Sequence, residues 1–243
     1  MILKFGHIDN ARDLGGIPTQ DGKKVKSGLL YRTAELDEST ADDIRRLSEE
    51  YHIRYILDFR DPIEFGNRPD LAVPGAENIA IPVLPKVPVS DREIATVEPM
   101  DVFNRIYREF ALDDRPAEAY REFFDILLRG DGPVLWHCTQ GKDRTGIAAI
   151  LLLTALGVSW EEAERDYFLT NEAMQPVYEA FLAKAKTERE HYIADKIIFV
   201  MPECLGIFTS LVEQNYGGIM GYLTKRVGLT DDEIARLKEL YTE

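Results

Sequence analysis

Val134-Leu135-Trp136-His137-Cys138-Thr139-Gln140-Gly141-Lys142-Asp143-Arg144-Thr145-Gly146 is the stretch on which the reading of this chain turns. Val134–His137 is a short apolar, β-prone run, as a buried strand should be. From Ile147 the residues are apolar again, over a length that suits a buried helix. A strand therefore runs into a tight loop, and the loop opens a helix. Backbone N–H groups at such a helix N-terminus have no partner within the helix and can point at an anion, and the helix dipole adds partial positive charge there. Gly141 lets the backbone curl. Arg144 follows Cys138 by six residues and returns beside it, with a planar fork that matches two oxygens of a phosphoryl group. The same donors would draw the thiol down from its usual ~8.5 toward its nucleophilic thiolate form. Cys138 is thus the candidate nucleophile. Arg144 and the backbone of Thr139, Gln140, Gly141, Lys142 and Asp143 are the candidate anion site.

Outward from this loop, the 243 residues suffice for one sizeable core, and 1–243 reads as a single domain. The chain is 45% hydrophobic and 30% charged, as ordinary folded proteins are. Its formal net charge of -14 disfavours nucleic acid and anionic membranes as partners, so an anionic ligand needs a locally positive pocket. Two cysteines, Cys138 and Cys204, make no disulfide framework. Charge interrupts the N-terminal apolar run too early for a secretory signal, and no stretch reaches the ~20 apolar residues of a membrane span. A cytoplasmic location is the expectation, with export lacking a recognisable signal left open.

Residues 14–33 carry paired turn residues that suggest a hairpin and then a strand at 29–32. A helix is expected over 40–50, strands at 53–57 and 78–81, and helices near 100–112 and 116–129. Four prolines between 82 and 99 mark a long irregular segment, and 82–115 is a candidate lid or insertion. Ser159 with Glu162, and Thr230 with Glu233, fit capping boxes. Strands alternate with helices up to residue 156 and helices alone follow. The expected fold is α/β, a mostly parallel central sheet flanked by helices, with a helical C-terminal part.

The loop His137–Gly146 resembles the signature loop of the protein tyrosine phosphatase superfamily. Its Gly-Lys-Asp-Arg-Thr form is similar to the atypical bacterial tyrosine-protein phosphatases, some of which also act on phosphoinositides. Asn10-Ala11-Arg12-Asp13-Leu14-Gly15-Gly16 resembles that family's N-terminal motif. Tyr31-Arg32-Thr33 and Leu57-Asp58-Phe59-Arg60 resemble further markers, with Thr33 and Phe59 standing where Ser and Leu are expected. Gly221-Tyr222-Leu223 and Gly228-Leu229-Thr230 also fit, and 82–115 is least matched. The resemblance implies a metal-independent phosphomonoester hydrolase that forms a cysteinyl-phosphate intermediate and uses no cofactor. The implied substrate is phosphotyrosine protein first, with dual specificity or phosphoinositide head groups second.

An aryl leaving group, with a conjugate acid near pKa ~10, calls for a proton donor. Asp58, expected beside Cys138 at the carboxyl edge of a parallel sheet, is the first candidate. Asp143, inside the loop, is the second. Thr145 could hydrogen-bond the thiolate or cap the helix. Lys142 could touch phosphate or stay solvated. Arg12, Arg32 and Arg60 read as scaffold ion pairs, and Cys204 as a buried inert thiol. No histidine or cysteine spacing suggests a metal. Two rival chemistries remain: a phosphate-binding module without useful turnover, for which the thiol is unnecessary, and another cysteine-loop enzyme. Of the latter, an arsenate reductase would want resolving cysteines beyond Cys204, and a sulfurtransferase would not need the acidic residues.

Overall fold

The computed structural model describes residues 2–83 and 97–243. The chain order is β1 (Arg12–Asp13), β2 (Leu30–Thr33), α1 (Ala41–Glu49), β3 (Tyr55–Asp58), α2 (Pro62–Asn67), β4 (Glu77–Ala80), α3 (Pro99–Leu112), α4 (Asp114–Leu127) and β5 (Val134–His137). Then come α5 (Asp143–Ala155), α6 (Trp160–Ala173), α7 (Gln175–Lys184), α8 (Glu188–Ile198), α9 (Pro202–Tyr216), α10 (Ile219–Tyr222), a π-helical turn (Leu223–Val227) and α11 (Asp231–Tyr241). The sheet order is β1-β2-β5-β3-β4; only β1 is antiparallel to its neighbour. The expected α/β class with a helical C-terminal part is what forms.

The three central strands are short, apolar and alternate between two cores, as the period of two requires. Leu30, Tyr55, Leu57, Val134 and Trp136 face one core, with the aromatic residues of α4 and nearly the whole of α5. Tyr31, Leu135 and Ile56 face the other, against Leu47 of α1 and Ile8 and Ala11 of the N-terminal segment. Helix α5 is buried almost all round, from Thr145 to Leu153. A helix apolar on every side belongs at the centre of a fold, and this explains the long apolar run after the loop.

The parallel register sets the site. Thr33 and Asp58 both pair with His137, so β2, β5 and β3 end level. Three loops therefore leave the same sheet edge together: Ala34-Glu35, Phe59-Arg60-Asp61 and Cys138–Lys142.

Several local expectations shift slightly. The turn-rich segment closes through an isolated bridge between Pro18 and Lys24, not a regular hairpin. Thr230 and Glu233 form a reciprocal capping box. Ser159 caps the Glu162 N–H at 3.4 Å, but the return bond is not made. The candidate lid falls partly on 84–96, outside the described residues; beyond it, α3 and α4 occupy 99–127. Among the described residues no single helix is long and apolar enough to cross a membrane, although the bent pair α8 and α9 passes on length and composition together.

Candidate active site

The carbonyls of the 138–142 loop are all turned outward, each toward a partner. Cys138 O lies 3.2 Å from His137 Nδ1, and Thr139 O accepts from Glu35 N at 3.1 Å. Asn10 Nδ2 donates to both Gln140 O (3.0 Å) and Gly141 O (2.9 Å). Arg32 Nη2 adds a bond of 2.8 Å to Gly141 O, and Lys142 O takes the Gly146 N–H into the helix. A peptide plane with its carbonyl held outward presents its N–H inward. Accordingly the N–H groups of 139–144 donate to no protein acceptor among the described residues, as expected of an anion cradle. Gly141 is obligatory in this curl. Its φ is +63°, and a Cβ there would lie 2.2 Å from Thr33 O.

Buried ion pairs brace the cradle from beneath. Asp166 of α6 bonds Arg12 Nε at 2.8 Å and Arg32 Nη1 at 2.7 Å, with all three side chains buried. Burial opposes the Asp166 charge, but the two guanidinium groups outweigh it and hold its carboxyl below the usual range. Asn10 receives a short bond from Arg12 Nη1 on its own Oδ1, 2.5 Å, which aims its amide at the loop. The N-terminal motif thus acts through three bonds in two steps: Arg12 aims Asn10, and Asn10 turns two carbonyls.

Arg144 is held as firmly. Glu64 meets its guanidinium with both oxygens, at 2.7 and 2.9 Å, and accepts from Thr139 Oγ1 at 2.7 Å. Burial would raise the Glu64 pKa; the bonds and charge of Arg144, with Thr139, bring it down to about 2. Glu64 also closes the capping box of α2 by accepting from Asp61 N. One carboxylate therefore orients both a helix start and the candidate phosphate-binding arginine.

The candidate acids are placed differently from one another. Asp58 does sit at the sheet edge, but its two oxygens accept from Arg60 N, Nε and Nη2 at 2.7–3.1 Å. Arg60 also pairs with Asp70 and Glu35 at 2.9 and 3.0 Å. Asp143 carries no such fork. Its Oδ1 accepts from the Tyr107 hydroxyl at 2.6 Å, and Lys142 Nζ stands 3.8 Å from Oδ2. Thr145 Oγ1 is buried with no partner among the described residues.

Lys142, grouped in the sequence with the phosphate-contacting residues, points its side chain elsewhere. Its ammonium is buried over the Phe103 ring at 4.7 Å and donates to the carbonyls of Ile197 and, at 3.2 Å, Phe199. It caps the end of α8, where a cation complements the unpaired carbonyls. Cys204 is buried, and its thiol is pushed up to about 12, chiefly by that burial with Asp143 nearby.

Asp58, Asp70 and His137 bring ligand-type atoms within 4.8 Å of one another, a grouping that histidine spacing did not suggest. Arg60 already supplies a positive charge to both aspartates, so the cluster works as an ion-pair network. Asp70 Oδ2 is 3.0 Å from His137 Nε2. Burial lowers the His137 pKa, but Asp70 and Asp58 outweigh it and raise it above 6.5 overall. Burial likewise opposes the Asp70 charge, yet His137 and Arg60 lower its pKa below 3.8 overall.

Glu64, Asp70, Asp166 and Tyr107 are site residues that sequence reasoning does not single out. The one local signal is Asp61-Pro62-Ile63-Glu64, which reads as a capping box.

A model described as the tyrosine phosphatase family matches residues 3–243. A relative in Cupriavidus necator that carries a tyrosine-protein phosphatase name is 31% identical, over 98% of this chain and 88% of its own. The triple specificity protein phosphatase PtpB of Mycobacterium tuberculosis is 24% identical, over 94% of this chain and 95% of its own. Among solved structures, the core catalytic domain of the PP-IP phosphatase SIW14 from S. cerevisiae covers 80% of this chain and 94% of its own, at 16% identity and a TM-score of 0.38.

Two outcomes are expected. Asn10→Ala frees two loop carbonyls and should weaken vanadate inhibition about tenfold, the worth of one to two hydrogen bonds. Unchanged vanadate affinity in a folded variant would refute the aiming role. The Asp70–His137 pair should stabilise the fold fully between about pH 4 and pH 6.5. Above that, the contribution fades as pH rises through the raised His137 pKa; below it, as pH falls through the lowered Asp70 pKa. Urea unfolding of Asp70→Asn against the native chain should show a larger deficit at pH 5 than at pH 9, and equal deficits would contradict the pairing.

Proposed function

The chain belongs to the tyrosine phosphatase family and is a cysteine-dependent phosphatase; we propose that Cys138 is its nucleophile, Arg144 its phosphate clamp and Asp143 its proton donor. The single observation that supports this most is the ring of N–H groups over 139–144, without protein acceptors among the described residues, around the loop that begins at Cys138. Three equatorial phosphoryl oxygens spread negative charge in the transition state, and preoriented amides with one guanidinium stabilise that charge without reorganising.

In the first step the Cys138 thiolate attacks phosphorus in line, the P–O bond to the leaving group breaks, and Asp143 protonates that oxygen. The resulting Asp143 carboxylate then takes a proton from water as the water attacks phosphorus and the S–P bond breaks. Phosphate leaves and the thiolate returns. Thr145, whose buried hydroxyl has no partner among the described residues, is read as the donor to the departing thiolate.

Asp143 replaces Asp58 as the first choice for the donor on geometric grounds. Protonating Asp58 would break a two-oxygen pairing with a buried guanidinium that three acidic groups share. Asp143 has one oxygen bonded to Tyr107 and the other 3.8 Å from Lys142 Nζ, with no guanidinium fork closing both.

The substrate is read as phosphotyrosine in proteins, with residues 1–243 as one catalytic domain. The name of PtpB, triple specificity, supports a broader range. The Lys142 ammonium, bonded to the Phe199 carbonyl, offers no contact to a lipid head group. An arsenate reductase relay is disfavoured by Cys204, whose buried thiol at about 12 is a poor resolving nucleophile.

Cys138→Ser should abolish hydrolysis of a small aryl phosphate in EDTA-containing buffer, and persisting turnover would refute the assignment. Asp143→Asn should remove the basic limb of the kcat/KM pH profile, whereas Asp58→Asn should keep it and lose thermal stability. The reverse pattern would restore Asp58 as donor.

A further inference from the structure

Behind Asp143 lie two buried tyrosines that the mechanism above does not use. Tyr107 of α3 is fully buried and donates to Asp143 Oδ1 at 2.6 Å. Its hydroxyl also lies 2.5 Å from that of Tyr167 in α6, which is equally buried. Burial first, then the Asp143 charge, pushes both hydroxyls well above their ordinary value, so both stay protonated. With one carboxylate and two O–H groups in line, a single arrangement satisfies every atom. Tyr107 gives its hydrogen to Asp143, and Tyr167 gives its own to the Tyr107 oxygen.

Gly146 makes room for this pair. A Cβ at that position would lie 2.9 Å from the Tyr167 ring, so the glycine that closes the signature loop also admits the second tyrosine.

Resting on the reading of Asp143 as proton donor, we infer that Tyr107 is its positioning residue and that Tyr167 aims Tyr107. The bond to Oδ1 fixes the carboxyl plane and leaves Oδ2 to carry the transferable proton. The other groups facing Asp143 are the cations Lys142 and Arg144 and the buried Tyr120 and Cys204. Neither Tyr120 nor Cys204 ionises near neutrality, since burial raises both. A change in the titration of Asp143 on removing the Tyr107 hydroxyl is therefore attributable to that bond.

Tyr107→Phe removes a donor to the carboxylate form, so the acid form gains and the basic limb of the kcat/KM profile moves up by about one pH unit. On the plateau below the basic limb, where the acid is protonated in both enzymes, kcat should fall about tenfold for phenyl phosphate, whose leaving group needs the proton, with KM little changed. It should barely fall for a dinitrophenyl phosphate, whose leaving group does not. Tyr167→Phe keeps the Tyr107 bond but loosens it, and should move the limb the same way by less. An unmoved limb in Tyr107→Phe, with equal losses on both substrates, overturns the positioning role. If Tyr107→Phe does not fold, an unmoved limb in Tyr167→Phe overturns it instead. Asp143→Asn separates the two readings: if that variant keeps the basic limb, the donor assignment fails, whatever the tyrosines do.

Discussion

The capture of the Gln140 and Gly141 carbonyls by Asn10 and Arg32 is the constraint on which the site depends. A loop of six residues has many conformations, and most would scatter its N–H groups. Fixing two adjacent carbonyls outward leaves the neighbouring amides little choice but to converge. The convergence is maintained because the restraining groups are themselves restrained. Asn10 is aimed by Arg12, and Arg12 and Arg32 are locked on Asp166. In a buried setting such a network is costly to break by one member, since an uncompensated charge remains.

Acidic groups around the loop resolve an apparent conflict. The chain carries a formal charge of -14, yet its chemistry needs an anion to approach. The carboxylates beside the loop are paired: Glu64 on Arg144, Asp58 and Asp70 on Arg60, and Asp166 on Arg12 and Arg32. What faces the cradle is the inward set of amides and the helix start, whose partial charges act at short range where solvent screens little. Glu64 and Asp143 remain close, so the local field is shaped by geometry more than by charge count.

Much of the fold was legible because it rests on local rules. The buried strand at 134–137 showed in its apolar, β-prone run, the central helix in its unbroken apolar stretch, and the turn at Gly141 in the need for a positive φ. Residues whose partners are distant in sequence were not legible. Asp166 meets Arg12 across 154 positions, and Tyr107 meets Asp143 across 36. No periodicity or spacing encodes such pairings. Lys142 shows the same limit: a lysine inside an anion-binding loop suggests a phosphate contact or a solvated side chain, whereas its flexible stem reaches the end of α8.

The sequence by itself determined the nucleophile candidate, the arginine clamp and the strand–loop–helix that holds them, because these are contiguous and their chemistry follows from order alone. Only the tertiary structure shows how differently the two aspartates are held. Both stand near the loop, and both are acidic residues at element boundaries. What separates them is which cation or hydroxyl another part of the chain delivers to each carboxylate: Arg60 closes both oxygens of Asp58, whereas Tyr107 bonds one oxygen of Asp143 and leaves the other outside that bond.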